Sequence, residues 1–228
     1  MRVIALDGPA GSGKSTVAGM IAEQLDILHA DSGAIYRTLT LAFMRRLGPG
    51  SSAQEFGSIF QSGSVDPDSL PVQVLLKDRR QSNCLDGADV GLEIRTPEVT
   101  SRIRYIADNV PCRNTVNRLL REFSEQTDLV ADGRDMGTVV FPDSASKFFL
   151  EASMQIRAKR RYEEMLGHGR ANLSLEEIER DIARRDEEDR NREVGALRKA
   201  DDAILIDTSD LSREDVVSRI LAQIQYRF

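Results

Sequence analysis

Residues Gly8 to Ser15 read G-P-A-G-S-G-K-S, which matches the pattern G-x-x-x-x-G-K-[ST] and follows directly on a short apolar run, Val3 to Leu6. That spacing suits a nucleoside triphosphate. A glycine-rich loop lets several backbone N–H groups converge on phosphate oxygens, and the helix it opens points the positive end of its dipole at the same place. Gly11 and Gly13 permit backbone paths that a Cβ would obstruct, Lys14 reaches the β and γ phosphates, and Ser15 offers its hydroxyl to Mg²⁺. Gly8, Pro9, Ala10, Ser12 and Thr16 complete the segment expected to wrap the triphosphate. A glycine-rich turn without a ligand is the bland alternative. Against it, Val17, Ala18, Ile21, Ala22 and Leu25 repeat at helical spacing behind the motif and could bury one face against a sheet.

Three further segments carry chemistry. Asp31-Ser32-Gly33-Ala34-Ile35-Tyr36-Arg37 follows a second strand-like run and opens a helix, a position that in a parallel sheet faces the ligand crevice. Asp31 or Ser32 could serve merely as an N-cap, whereas Arg37 beside a triphosphate site points to a second phosphate group. The segment 131–142, A-D-G-R-D-M-G-T-V-V-F-P, places Asp132 at a strand end, where such an enzyme holds Mg²⁺ through a water. Arg134 can clamp an anion bidentately and Asp135 can accept from an exocyclic amine; two aspartates flanking an arginine could also form a structural ion-pair network. In the third segment Arg185, Asp189 and Arg192 lie four and three apart and, if helical, share a face with a carboxylate between two guanidiniums. Arg157, Arg160 and Arg161 repeat the arrangement on the preceding helix, and Arg157 is assigned to the ATP side. Arginine at these points fits phosphoryl transfer, in which Lys14, Asp132, Arg134, Arg185 and Arg192 would act by position and charge rather than through a protein base.

The elements that must hold these groups follow from periodicity. Val3 to Leu6, Ile27 to Ala30, Leu129 to Ala131, Lys147 to Leu150 and Ala203 to Ile206 read as five strands separated by helical patterns, the rhythm of an α/β fold with a five-stranded, mainly parallel sheet and helices on both faces. The interval 48–93 breaks that rhythm. It is rich in Gly, Ser, Pro and Asp, and Val72 to Lys77 with the region Cys84 to Val90 reads as a small inserted sheet turning at Asp86-Gly87. Two charged helices, Met154 to Leu166 and Leu175 to Arg192, meet at Gly167-His168-Gly169, which suits a helical lid over 154–192, although charge runs commonly mean only a solvated face.

Bulk properties narrow the field. The 228 residues suffice for a single domain with insertions. With 31 basic against 37 acidic residues, net charge −6, the chain lacks the basic footprint of a nucleic-acid binder. No apolar window approaches membrane-spanning length and no signal peptide is evident, so a cytoplasmic protein with no membrane partner is expected. Cys84 and Cys112 read as reduced structural residues with no zinc site.

Taken together, G-P-A-G-S-G-K-S, D-S-G-A-I-Y-R (31–37), D-G-A-D-V with E-I-R-T (86–90 and 93–96), A-D-G-R-D-M-G-T-V-V-F-P and R-N-R (190–192) resemble the bacterial cytidylate kinase family of nucleoside monophosphate kinases, over essentially the whole chain. The resemblance implies ATP-dependent phosphorylation of CMP and dCMP with Mg²⁺ by a monomer. It implies that Ser32, Arg113 and Asp135 read the cytosine, that Arg37, Arg134 and Arg192 hold the acceptor phosphate, and that Tyr36, Arg185 and Asp189 line the sugar. Arg104 and Leu120 stand where the family commonly has serine and often glutamine, and the stretch 194–199 lacks its usual proline. Rival readings are a phosphate-loop kinase for another small acceptor, such as UMP, AMP, shikimate or dephospho-coenzyme A, and a nucleotide-dependent switch or RNA-associated module.

Overall fold

The computed structural model describes residues 1–48, 50–61, 66–77, 79–167 and 173–225. His168 and Gly169 of the expected lid joint lie outside the described residues. The chain divides into two compact units, one formed by Arg2–Ile27 with Leu129–Phe228, the other by Leu28–Asp128 with Met1.

The first of these is built on β1 (Val3–Asp7), whose residues after Val3 are all buried. A strand covered on both faces reads as an unbroken apolar run, and β1 pairs in parallel with β6 (Leu129–Gly133) on one side and β7 (Ser146–Glu151) on the other. Beyond β7 lies β8 (Ile204–Asp207), also parallel. Within this unit the strands run in the order β6-β1-β7-β8, and β2 (Leu28–Asp31) belongs to the other unit. One face is covered by α1 (Lys14–Leu25) and α8 (Arg213–Gln225). Val17, Ala18 and Ile21 pack with Ile4, Leu6, Phe148 and Leu150 of the strands and with Val217 and Ile220 of α8.

Leu25 departs from the expected buried stripe and is 40% exposed. The cause is how α1 ends: Asp26 adopts a left-handed conformation and the Ile27 N–H returns to the Ala22 carbonyl. Ile27 thereby takes the buried place on Ala22, and β2 begins one residue later than expected. The charged helices are α6 (Met154–Gly167) and α7 (Leu175–Asn191), packed through Ala158, Ile178 and Ile182. A Ser174–Glu177 capping box satisfies donors at the start of α7.

The other unit holds α2 (Ser32–Leu47), α3 (Ala53–Gln61), a three-stranded antiparallel sheet, α4 (Pro97–Asp108) and α5 (Val110–Gln126). The sheet consists of β3 (Val72–Lys77), β4 (Arg80–Leu85) and β5 (Ala88–Asp89) in that order. Asp86 and Gly87 both take positive φ between paired Leu85 and Ala88, the twist a two-residue hairpin requires. Helix α3 was not anticipated, because its flanks are dominated by Gly and Ser. It is held by Phe56 and Phe60 packing with Phe43 of α2 and Tyr105 of α4. Gly57 permits that approach, since a Cβ there would stand 2.7 Å from Tyr105 Cε1. Cys84 and Cys112 are buried free thiols, and burial pushes Cys112 up to about 12.

Candidate active site

The loops that leave the C-terminal ends of β1, β6, β7 and β8 carry most of the chemistry, as expected for a parallel sheet whose central strand has neighbours on both sides. The loop after β1 is residues 8–13. Gly8 cannot be replaced, because a Cβ would collide with the carbonyl of Leu150 on β7. Gly13 occupies the N-cap of α1 at φ 88°, and the helix start has neither a capping side chain nor an acidic residue in its first turn. The N–H groups and dipole of α1 are thus left to an anion. Lys14 is buried and donates to the Pro9 carbonyl at 3.2 Å, which folds its ammonium back over the loop. The Ser15 hydroxyl donates to Asp132 Oδ2 at 2.5 Å, bringing the residue expected to hold Mg²⁺ against the strand-end carboxylate.

Asp7, the last residue of β1, directly follows the apolar run Val3 to Leu6 and was given no role from the sequence. It is 3% exposed, and its two oxygens accept from the N–H of Met136 at 2.7 Å and of Gly137 at 2.8 Å. Burial lifts its carboxyl to about 6, helped by the negative charge of Asp135 and opposed by those two N–H groups and by Lys14. Its signal in the sequence was a lone acid closing a strand immediately before the glycine loop.

Past β6, Arg134 donates Nε to Asp189 Oδ2 at 2.7 Å, and Arg192 donates to Asp189 Oδ1 at 2.8 Å. A carboxylate between two guanidiniums was expected here, but with Arg185 in the place that Arg134 takes. Arg185 turns back one helical turn to Asp181 at 2.9 Å. Burial raises the Asp189 carboxyl, yet the charges and hydrogen bonds of Arg134 and Arg192 outweigh it and hold the group below its ordinary value.

Arg157 is placed differently from the other arginines. Its guanidinium donates to the carbonyls of Ala10 and Ala152, both at 3.1 Å, and lies 2.7 Å from Asp186, with both side chains almost wholly buried. Arg160 reaches Thr208 instead, donating to its hydroxyl at 3.0 Å and its carbonyl at 2.6 Å, and the Thr208 hydroxyl donates to the Ser12 carbonyl. Thr208 and Asp186 carried no motif and were missed. A cavity of about 280 Å³ opens beside the loop, lined by Pro9, Phe149, Ala152, Arg157, Asp207 and Ser209.

In the other unit, Asp31 caps α2 by accepting from the Ala34 N–H at 2.9 Å, so the capping alternative holds for Asp31 and not for Ser32, which is buried in the first turn. Gln81 of β4 binds both the N–H and the carbonyl of Asp31, tying the inserted sheet to this loop. Arg37 donates to the Thr100 hydroxyl at 2.7 Å. Arg113 is 2% exposed, donates to the Ala107 carbonyl at 2.9 Å and has its guanidinium carbon 5.8 Å from the Tyr36 ring centre, so Tyr36, Arg37 and Arg113 share one unit with Ser32.

A family model described as cytidylate kinase matches residues 4–226. A cytidylate kinase of Desulforamulus reducens is 40% identical over 224 residues, covering 98% of this chain and 97% of its own length. Those of Thermosipho melanesiensis and Halalkalibacterium halodurans are 40% and 39% identical, covering 96% and 98% of this chain and 94% and 97% of their own lengths. The crystal structure of an uncharacterized protein from Eubacterium ventriosum matches over the whole of both chains with a TM-score of 0.52 at 14% identity, a likeness of fold alone.

Proposed function

The chain belongs to the cytidylate kinase family, and we propose that it transfers the γ-phosphoryl group of ATP to CMP and dCMP, giving ADP with CDP or dCDP. The observation that carries the reading is the start of α1: an N-terminus without a side-chain cap, Lys14 in its first turn, and the Ser15 hydroxyl on the Asp132 carboxylate. In this reading catalysis rests on holding reactants in line and meeting spread charge.

The oxygen pair of Ser15 and Asp132 fits Mg²⁺, a hard ion that prefers oxygen ligands. No group of three or more His, Cys, Asp or Glu among the described residues could hold a metal, so phosphates and waters would complete its shell. When bound, Mg²⁺ supplies charge neutralisation across the β and γ phosphates. In this reading Lys14 binds the β and γ oxygens, and the N–H groups of residues 8–16 wrap the triphosphate. Arg157 serves the donor side by holding the loop at Ala10.

On the acceptor side, Arg37, Arg134 and Arg192 bind the CMP phosphate, with Tyr36, Arg185 and Asp189 around the sugar. Ser32, Arg113 and Asp135 read the base. Cytosine offers an amine that a carboxylate accepts, and acceptors at O2 and N3 that arginine satisfies; uracil reverses the polarity at C4 and N3. Residues 48–93 are, in this reading, the inserted part of the monophosphate-binding region, and 154–192 hold the lid and its flanking helices.

No helix among the described residues is long and apolar enough to cross a membrane. The deciding experiment follows ADP formation with Mg²⁺-ATP against CMP, dCMP, UMP, AMP, GMP and shikimate, with an EDTA control. Preference for CMP and dCMP with loss of turnover in EDTA is expected. Preference for another acceptor would remove the roles given to Ser32, Arg113 and Asp135.

A further inference from the structure

Thr208 directly follows β8, is 2% exposed, and joins α6 to the phosphate loop. Its hydroxyl accepts from Arg160 Nη1 at 3.0 Å and donates to the Ser12 carbonyl at 3.1 Å. The Glu151 carbonyl lies 3.0 Å from the same hydroxyl but also accepts the Thr208 N–H at 2.8 Å, so it is satisfied without the hydroxyl. Arg160 Nη2 steadies the residue from its other side, donating to the Thr208 carbonyl at 2.6 Å. Three residues earlier on α6, and hence on the same helix face, Arg157 donates to the Ala10 carbonyl at 3.1 Å. All of these groups belong to one compact unit.

Ala10 and Ser12 each precede a glycine at positive φ, Gly11 at 77° and Gly13 at 88°. In a planar trans peptide the carbonyl and the following N–H point in opposite directions. Fastening the Ala10 and Ser12 carbonyls therefore sets where the Gly11 and Gly13 N–H groups point, at two positions where glycine alone leaves the backbone many choices. Gly13 is also the N-cap of α1, whose start carries no side-chain cap. We propose that Thr208 is a positioning residue for the donor triphosphate: its hydroxyl holds the Ser12–Gly13 peptide with the N–H toward the phosphates, and Arg160 acts through it. The inference rests on the reading of residues 8–16 as the ATP site. A loop already set before the nucleotide arrives loses less entropy on binding, so the gain is in affinity for ATP.

The test measures Mg²⁺-ATP binding by calorimetry without acceptor, KM for ATP and for CMP, and urea stability in Thr208→Val, Thr208→Ser and Arg160→Met. Valine keeps the shape of the side chain and removes the hydroxyl, whereas serine keeps the hydroxyl. In Thr208→Val, Kd and KM for ATP are expected to rise about fivefold, the loss of one neutral hydrogen bond, with KM for CMP within about twofold of the parent. Thr208→Ser should restore ATP affinity to within about twofold, because the bond to Ser12 is kept. Arg160→Met should weaken ATP about threefold, and it carries the test alone if Thr208→Val does not fold. Lost stability in Thr208→Val with unchanged Kd for Mg²⁺-ATP would make Thr208 merely structural and overturn the proposal. So would a serine variant as weak as the valine one, or an equal rise in KM for ATP and CMP. A parent enzyme that binds no Mg²⁺-ATP overturns the reading of residues 8–16 and this inference together. Tight binding by the parent, matched by both Thr208→Val and Arg160→Met, overturns the inference alone.

Discussion

Asp186 and Asp189 stand one turn apart on α7, and each meets arginine from another part of the chain, yet the two assemblies do different work. The Arg157–Asp186 pair is sealed: its side chains are 6% and 3% exposed, and the guanidinium spends further N–H groups on the carbonyls of Ala10 and Ala152. The Arg134–Asp189–Arg192 group stays partly open, with the Arg134 side chain 26% exposed and one carboxylate shared by two cations. The sealed pair stitches α6 and α7 to the phosphate loop. The open group gathers more positive than negative charge, which is what an anion would meet. Arginine beside a phosphate loop is therefore not evidence of a ligand contact; the fate of its N–H groups decides.

The largest effect that could break this contrast is on stability. Arg157→Ala leaves Asp186 charged, buried and without its cation, so unfolding free energy should fall by about 3–5 kcal/mol in urea titration. Unchanged stability with a raised KM for ATP would instead make Arg157 a nucleotide contact and erase the difference between the assemblies. A smaller effect of the opposite kind belongs to Arg134→Lys. It keeps the charge but loses the planar fork, so kcat should drop about 100-fold, or roughly 2.7 kcal/mol, with stability changed by less than about 1 kcal/mol. Loss of folding without selective loss of turnover would put Arg134 in the sealed class.

The same contrast explains what could be read from the chain beforehand. The strands of the five-stranded sheet were legible because buried parallel strands are continuous apolar runs, and the β4–β5 turn because Asp86-Gly87 suits two positive φ angles. The phosphate loop and the strand-end Asp132 were legible because their spacing is itself the chemistry. Side-chain partners across elements were not. Helical spacing tells that Arg185 can meet Asp181 or Asp189, but not that Arg134, arriving from β6, occupies Asp189 and leaves Arg185 to Asp181. Asp7 stayed hidden because its partners are backbone N–H groups 129 and 130 residues away, which no pattern of side chains records.

The smallest effect, and the finest probe of the open group, comes from pH. Asp189 has a folded-state value below its ordinary one, because the two guanidiniums outweigh its burial. It therefore contributes stability that is fully present above the unfolded value of about 3.9 and is lost as pH falls through the lower folded value. Asp7 has the opposite sign. Its value is raised to about 6, so the folded protein binds that proton first, and stability on its account rises as pH falls from above 6 toward 4. Urea midpoints measured across pH 7 to 2 should therefore show two limbs, with Asp7→Asn flattening the upper one and Asp189→Asn making the lower one shallower. The lower limb is modest because burial offsets much of what Arg134 and Arg192 supply. If Asp189→Asn left it unchanged, the two arginines would not be holding a carboxylate ionised, and the positive character assigned to the open group would have to come from elsewhere.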